Sequence, residues 1–285
     1  MKIFFIIFLF CCCMSSCEVK AQYADYFKIT DLRGAFVYDI VMRKVIDKDV
    51  HILKENNVKS VVVRGDSGKV TSKFSVNEDG WITNYSTYEY NDGEEINYEI
   101  TYDGSRPLTI KYKEKGMGIN YTCFYKDNHL EYINADFGSK LAEDCVFSFS
   151  NKDKIDRIDY IDKLKDTVYM TIHFLYDSKD KLVSTKDIKF DNVIDTISYS
   201  ENVITINRLH FEEKKYTLND NRITEEQNTF PSKQLQSKSY SYQTEIPDIV
   251  SKYRYYYKDN GLIEYIDAGT DNFKYKYIYE YEYYQ

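Results

Sequence analysis

From Val58 to the C-terminus, apolar and polar residues alternate with a period of two. The tail shows it most cleanly: Phe273, Tyr275, Tyr277, Tyr279, Tyr281 and Tyr283 share one face, with Lys274, Lys276, Ile278, Glu280 and Glu282 opposite. This is the pattern of β-strands that bury one face. Before Val58 the period lengthens. Val41, Val45, Ile46, Val50 and Leu53 form a loose 3.6-residue stripe, so the stretch from Tyr38 to Asn57 is expected to hold the only helix. Asp47 is placed to cap a short one over about residues 47–55.

Within the alternating region one unit recurs: a strand ending in an aromatic, a short polar turn, then Leu or Ile. Tyr102 to Leu108, Tyr125 to Leu130, Phe149 to Ile155, Tyr176 to Leu182, Tyr216 to Ile223 and Tyr257 to Leu262 are copies, and Val76 to Ile82 is an aromatic-free version. Asn, Asp and Gly in the turns accept the positive φ of tight hairpins, so each copy reads as strand–turn–strand. The copies begin 26, 23, 24, 27, 40 and 41 residues apart, and the wide gaps leave room for degenerate copies such as Tyr199-Ser200-Glu201-Asn202-Val203. Tyr125-Lys126-Asp127-Asn128 returns as Tyr257-Lys258-Asp259-Asn260, and Glu131-Tyr132-Ile133-Asn134-Ala135 as Glu264-Tyr265-Ile266-Asp267-Ala268. A period in the twenties, with each unit too small to bury a core alone, predicts a stacked array.

Tyr257-Lys258-Asp259-Asn260-Gly261-Leu262, followed by Gly269 and Tyr275-Lys276-Tyr277, resembles the YD (RHS-like) repeats of bacterial surface and secreted proteins. Tyr176-Asp177 followed by Leu182 is the next best copy, while several others lack the Gly and the Tyr-Asp pair. The resemblance covers about two thirds of the chain past the leader. It implies long twisted sheets that curl, and it implies no reaction. The expected fold is therefore mainly β: an antiparallel meander of repeated β-hairpins forming a long twisted or curled sheet, with one short N-terminal helix.

Lys2, the apolar run Ile3 to Phe10 and the small residues behind it have the form of a secretory leader. Met14-Ser15-Ser16-Cys17 resembles a bacterial lipobox, which makes Cys17 the lipid attachment site, although Met14 stands where Leu is usual. Val19-Lys20-Ala21 before Gln22 offers an ordinary cleavage site instead. The expected organisation is a signal peptide over 1–16, a tether over 17–35 and a single β-repeat domain over 36–285. Localisation follows the cleavage: anchored in the bacterial envelope, at the outer membrane, or periplasmic or secreted if the cut falls after Ala21.

The precursor of 285 residues carries net charge −8, and loss of Lys2 with the leader leaves −9. That balance argues against nucleic-acid binding, which needs a basic footprint. The 30 tyrosines and 16 phenylalanines, against three prolines, suit long half-buried ladders. An outer-membrane barrel fits the alternation, but its lipid-facing positions should be Leu, Val or Phe, and here Tyr dominates. Beyond the leader only Cys123 and Cys145 remain. Both alternate with apolar neighbours, and in a meander one strand separates them by about 9.5 Å, too far for a disulfide. Two buried free thiols are expected.

Gly65-Asp66-Ser67-Gly68 has the letters of a serine-protease nucleophile loop but lies between two valine-rich strands, as a hairpin turn does. His51, His129, His173 and His210 are too scattered for local metal spacing. Asn219-Asp220-Asn221 and Asn77-Glu78-Asp79-Gly80 lack the ligand spacing of a calcium loop. No cofactor is implied. The function expected is non-enzymatic binding of an envelope protein or glycan through an aromatic-rich β array. The alternatives are a lipid-anchored immunity or inhibitor protein and a glycan-active enzyme. One candidate site is a ligand-stacking face made of Tyr275, Tyr277, Tyr279 and Tyr281; the alternative is that this face packs on the array, as large aromatic faces usually do.

Overall fold

The computed structural model describes residues 32–88, 95–114, 117–127, 129–136, 142–150, 154–208, 212–230, 248–270 and 273–285. The leader, Cys17, most of the expected tether and His210 lie outside them. One helix, α1 (Leu32–Glu55), precedes β1 (Val58–Arg64), β2 (Val70–Val76), β3 (Ile82–Tyr88), β4 (Glu95–Asp103), β5 (Arg106–Glu114) and β6 (Met117–Lys126). Then come β7 (His129–Asp136), β8 (Ala142–Phe149), β9 (Ile155–Asp162), β10 (Thr167–Tyr176), β11 (Leu182–Asp187) and β12 (Asn192–Tyr199). The series ends with β13 (Val203–Arg208), β14 (Glu212–Asn219), β15 (Arg222–Phe230), β16 (Ile249–Tyr257), β17 (Ile263–Gly269) and β18 (Lys274–Tyr283).

Every strand pairs antiparallel with its neighbours in sequence, and β1 pairs with β18 through Val61↔Tyr281 and Val63↔Tyr279. The meander is as expected; the long open sheet is not. The sheet closes into an 18-stranded barrel. Closure gives the two end strands the partners an open sheet would leave exposed as edges.

The register puts the apolar set on the inner wall. Phe74, Tyr85, Tyr98 and Tyr112 lie opposite one another across β2 to β5, all at most 7 % exposed. Their rings form a ladder, with centroids 5.8 Å apart for Tyr85–Tyr98 and 5.1 Å for Tyr98–Tyr112. The inner residues belong to one continuous hydrophobic cluster. An 18-stranded cylinder held round is wide enough for a water-filled channel. Burial this complete means that the inner walls pack on each other and on α1.

The outer wall is polar. Lys73, Glu99, Lys111, Arg157, Glu225 and Arg254 project from strand interiors on this face. In a membrane-spanning barrel that face meets lipid, where a basic side chain near the midplane costs about 2–4 kcal/mol. A largely apolar interior, with Asp195, Glu226 and Asn228 buried in it, and a charged outer wall are the arrangement of a barrel whose wall faces water.

The eight hairpins β2–β3, β4–β5, β6–β7, β8–β9, β10–β11, β12–β13, β14–β15 and β16–β17 turn at one end of the barrel, here the short-turn rim. They are the eight sequence copies, the degenerate one at Tyr199 included. One device repeats along this rim. The hydroxyls of Tyr102, Tyr125, Tyr176, Tyr199, Tyr257 and Tyr281 donate to the carbonyls of Ile82, Pro107, Ile155, Leu182, Ile223 and Ile263, at 2.6–3.0 Å. In each case the Tyr bonds the residue just past the turn of the preceding hairpin; the first five belong to the repeat copies, and Tyr281 extends the pattern to β18. The neighbouring turn also lays a side chain over the ring: Trp81 on Tyr102, Arg106 on Tyr125, Lys181 on Tyr199. Tyr284 donates to Val76 O at 2.6 Å and so carries the rim bonding across the β18–β1–β2 seam.

The helix is longer than expected, 24 residues from Leu32 rather than a short one over 47–55. Asp47 lies inside it, paired with Arg43 at 3.1 Å, and caps nothing. The weak stripe at its start is buried because the barrel supplies the partner: Val37, Tyr38, Met42 and Val45 are at most 7 % exposed. Lys48 reaches Asp220 at 2.8 Å in the β14–β15 turn, Lys54 reaches Asp79, and Asn56 donates to Asn260 O. Further up, the Tyr38 ring meets that of Tyr216 on the inner wall, 6.0 Å between centroids. Ten helical residues rise about 15 Å and four strand residues about 13 Å. The helix therefore runs from the short-turn rim toward the opposite rim, its backbone nearest to β15 and β1.

Cys123 and Cys145 are both buried and unbridged. Ile133 of β7 stands between them in register. Burial pushes the Cys123 thiol up to about 12.

Candidate functional site

The tyrosine face of β18 is part of the inner wall. Tyr277 and Tyr279 are 5 % and 3 % exposed, while Tyr275 and Tyr281 are half-buried against the core. Tyr281 spends its hydroxyl on the Ile263 carbonyl, and burial raises the Tyr279 phenol well above its ordinary range. The four residues are brought together, but on the side of the sheet that faces the packed interior.

Among the described residues, two stacked cross-strand aromatic pairs meet solvent on the outer wall. Phe124 stacks on its cross-strand partner Tyr132, centroids 4.2 Å apart, and Tyr256 stacks on Tyr265 at 4.3 Å. Phe124 and Tyr256 are 38 % and 37 % exposed. These pairs sit in the two repeats that nearly match letter for letter. Each begins one residue before the copied Tyr-Lys-Asp-Asn turn, so β6–β7 and β16–β17 build the same feature twice. The sequence carried this signal: Phe124 and Tyr256 fall on the polar face of their strands, where no core explains them. Only the position of each before its turn, read together with Tyr132 and Tyr265, would have found the pairs.

Beside Tyr256 lies a shallow groove of about 390 Å³ lined by Thr217, Thr224, Glu225, Arg254, Tyr255 and Tyr256. Arg254 is paired with Glu225 at 3.2 Å. On the other side the Lys276 ammonium sits 3.6 Å from the Tyr265 ring centroid. A flat aromatic surface is thus flanked by hydroxyls, one guanidinium and one carboxylate. That combination suits a ligand with an apolar C–H face and a hydroxylated rim. Around the Phe124 pair, Asn134 donates to Asp144 at 2.9 Å on the same wall.

The other sequence candidates are structural. Gly65 to Gly68 form the β1–β2 turn, closed by Gly65 N–H to Lys69 O and Gly68 N–H to Gly65 O. Asp220 and Asn221 take φ values of 49° and 55° as the two central residues of a tight hairpin turn. His51 pairs with Glu55 on the helix and His129 packs on Phe149. Among the described residues, no three His, Cys, Asp or Glu side chains cluster as metal ligands do.

No protein-family model matches the chain, and no curated protein does. Among solved structures, the chain is similar to a porin-like protein from Bacteroides uniformis, at 12 % identity and a TM-score of 0.39, over 79 % of this chain and 98 % of that one. A porin-like protein from Bacteroides vulgatus gives 12 % identity and 0.29 over the same shares. The Tc holotoxin pore of Photorhabdus luminescens gives 12 % identity and 0.32, over 73 % of this chain and 11 % of that one. The fold assigned above rests on the strand pairing itself.

Proposed function

We propose that this protein is a non-enzymatic, lipid-tethered component of the bacterial envelope that binds a glycan on the outer wall of its barrel. The observation that carries the reading is the duplicated stacked pair, Phe124–Tyr132 and Tyr256–Tyr265. Both leave an aromatic face in water on a polar wall, where packing does not account for it. The pairs lie ten strands apart in the meander, so one polysaccharide or two can be engaged together, with a gain from effective concentration. The groove at Tyr256 supports binding over cleavage. Glycoside hydrolysis uses two carboxylates facing each other across the bond, whereas Glu225 is the one carboxylate lining this groove and is tied up by Arg254.

The test is titration of the purified chain, beginning at Gln22, with envelope polysaccharides and their oligosaccharide fragments, alongside sedimentation with insoluble cell wall. Tyr256→Ala and Phe124→Ala should each weaken binding about two- to twelve-fold, as loss of one aromatic contact does, and the double variant should weaken it further than either. Tyr256→Phe should bind nearly as well as the parent. Equal retention of the parent and the double variant, or of neither, on every glycan tried contradicts the proposal. A single protein captured in place of glycan would return the immunity or inhibitor reading.

A further inference from the structure

The exposed apolar residues are unevenly placed. Among the described residues the most exposed large hydrophobic side chains are Leu164, Phe190, Phe273 and Val168, at 64, 64, 62 and 53 %, followed by Ile188 at 47 %; Ile278, Leu175 and Tyr283, at 44–45 %, are scattered away from them. The first five lie at the rim opposite the short turns: in the β9–β10 hairpin, in the β11–β12 turn and just before β18. Leu164, Val168, Ile188 and Phe190 make one patch. Ile188 N–H donates to Thr171 O at 3.1 Å, and Lys189 Nζ reaches Tyr169 O, which holds the β11–β12 tip against the start of β10. Phe273 stands about six strands away, roughly 29 Å along the wall at 4.8 Å per strand. Contact points this far apart on one rim suit a flat surface better than a single groove in a partner.

The chain itself says which surface. The helix runs from the short-turn rim toward this one, and Leu32, six residues before Tyr38, lies a further ~9 Å in that direction. The described chain therefore begins on the side of the apolar rim, and the fifteen residue steps from Leu32 back to Cys17 span at most about 50 Å. An acyl anchor on Cys17 would hold this rim within that distance of the bilayer.

We propose that this rim is the membrane-seating face of the barrel, with Leu164, Val168, Ile188, Phe190 and Phe273 dipping into the headgroup region of the bilayer that holds the Cys17 lipid. The inference rests on Cys17 as the lipid attachment residue. Apolar tips match what settles at a lipid interface; of the lysines beside them, Lys165 and Lys186 are paired with Asp162 and Asp191, so the seating rests on the apolar side chains and not on charge. The orientation also serves the glycan site. Phe124 and Tyr256 lie near the ends of β6 and β16 at the short-turn rim, so the barrel length separates them from the membrane and turns them outward.

The experiment uses the chain from Cys17, with Cys123 and Cys145 replaced by Ala, coupled through Cys17 to a maleimide lipid in phosphatidylcholine vesicles. Two single-tryptophan forms report the two rims: native Trp81, which lies at the short-turn rim, and Trp81→Phe with Phe190→Trp. Brominated lipids should quench the tryptophan at 190 strongly, with a blue-shifted emission, and leave Trp81 unquenched. Serine at both Leu164 and Ile188 should reduce the quenching without changing the denaturation midpoint by much. Equal quenching of both positions, or of neither, overturns the proposal. Because the tether is chemical, these outcomes do not depend on natural processing. Metabolic labelling of Cys17 with a fatty-acid analogue in cells tests that separately, and its failure would remove the anchor while leaving the rim result to stand or fall on its own.

Discussion

The Tyr176 hydroxyl donates to the Ile155 carbonyl at 2.9 Å, half-buried, with Lys154 5.1 Å from its ring. At the equivalent place one hairpin earlier stands Phe149, which has no hydroxyl and is packed against His129 instead. The pair makes a native comparison for the rim bond. Tyr176→Phe should cost about 1 kcal/mol, the net value of a hydrogen bond whose carbonyl partner is left unmet, read as a lower urea midpoint at unchanged slope. The corresponding change at two non-adjacent positions, Tyr125 and Tyr257, should add. At this scale the sequence was informative. The aromatic before each turn was visible, as were the two lone thiols, whose separation by β7 follows from pairing order alone. What the letters could not show was the use of each hydroxyl, because its acceptor is a backbone carbonyl 17 to 34 residues away. The thiols carry their own check: no alkylation of the folded chain at pH 8, and two additions once it is denatured without reductant. A bridge would instead give none.

Helix α1 is where local signal was weakest and tertiary contact decides most. Its polar face and its modest stripe predicted one short helix; the barrel interior stabilises a much longer one by burying Val37, Met42 and Leu53. Gly80 shows how closely it is seated. At φ +87° it presses on the Val50 carbonyl, so a Cβ there meets backbone as well as an unfavourable conformation. Gly80→Ala should destabilise by well over ~1 kcal/mol, and the loss should appear first as faster hydrogen exchange in the helix. Asp49 adds a pH dependence. Desolvation lifts its carboxyl to about 8 despite Arg222 and Lys48 nearby. The folded chain then keeps a proton that the unfolded chain releases near pH 4, so this group's contribution to stability is fullest below that pH and falls as pH rises through about 4 to 8. Asp49→Asn should flatten that fall and raise the midpoint at pH 8, by an amount of the order of a few kcal/mol. A pH profile unchanged by the substitution would show that Asp49 ionises freely in the folded state.

Closure was not legible in the sequence at all. Each hairpin is specified by its own turn and alternation, but nothing local marks Val58 to Arg64 as the partner of Lys274 to Tyr283. That pairing joins strands more than two hundred residues apart, and β1 and β18 carry the same alternation as every interior strand. The decision between a curled sheet and a ring lies in whether the inner face can be covered. Here it is covered by bringing the walls together around α1, which leaves the charged face outward for water and for the paired aromatics. Of the two readings of the β18 tyrosine face, stacking platform or packed wall, the packed wall is the one the closed sheet builds, and the exposed rings at Phe124 and Tyr256 are its outward counterpart.

Hydrogen–deuterium exchange of the chain from Gln22, in buffer without detergent, tests this closed, water-facing barrel most directly. Peptides spanning Val58–Arg64 and Lys274–Tyr283 should be protected as strongly as those spanning Met117–Lys126 and His129–Asp136. Fast exchange confined to the first and last strands, or protection that arises only when detergent is added, would contradict it.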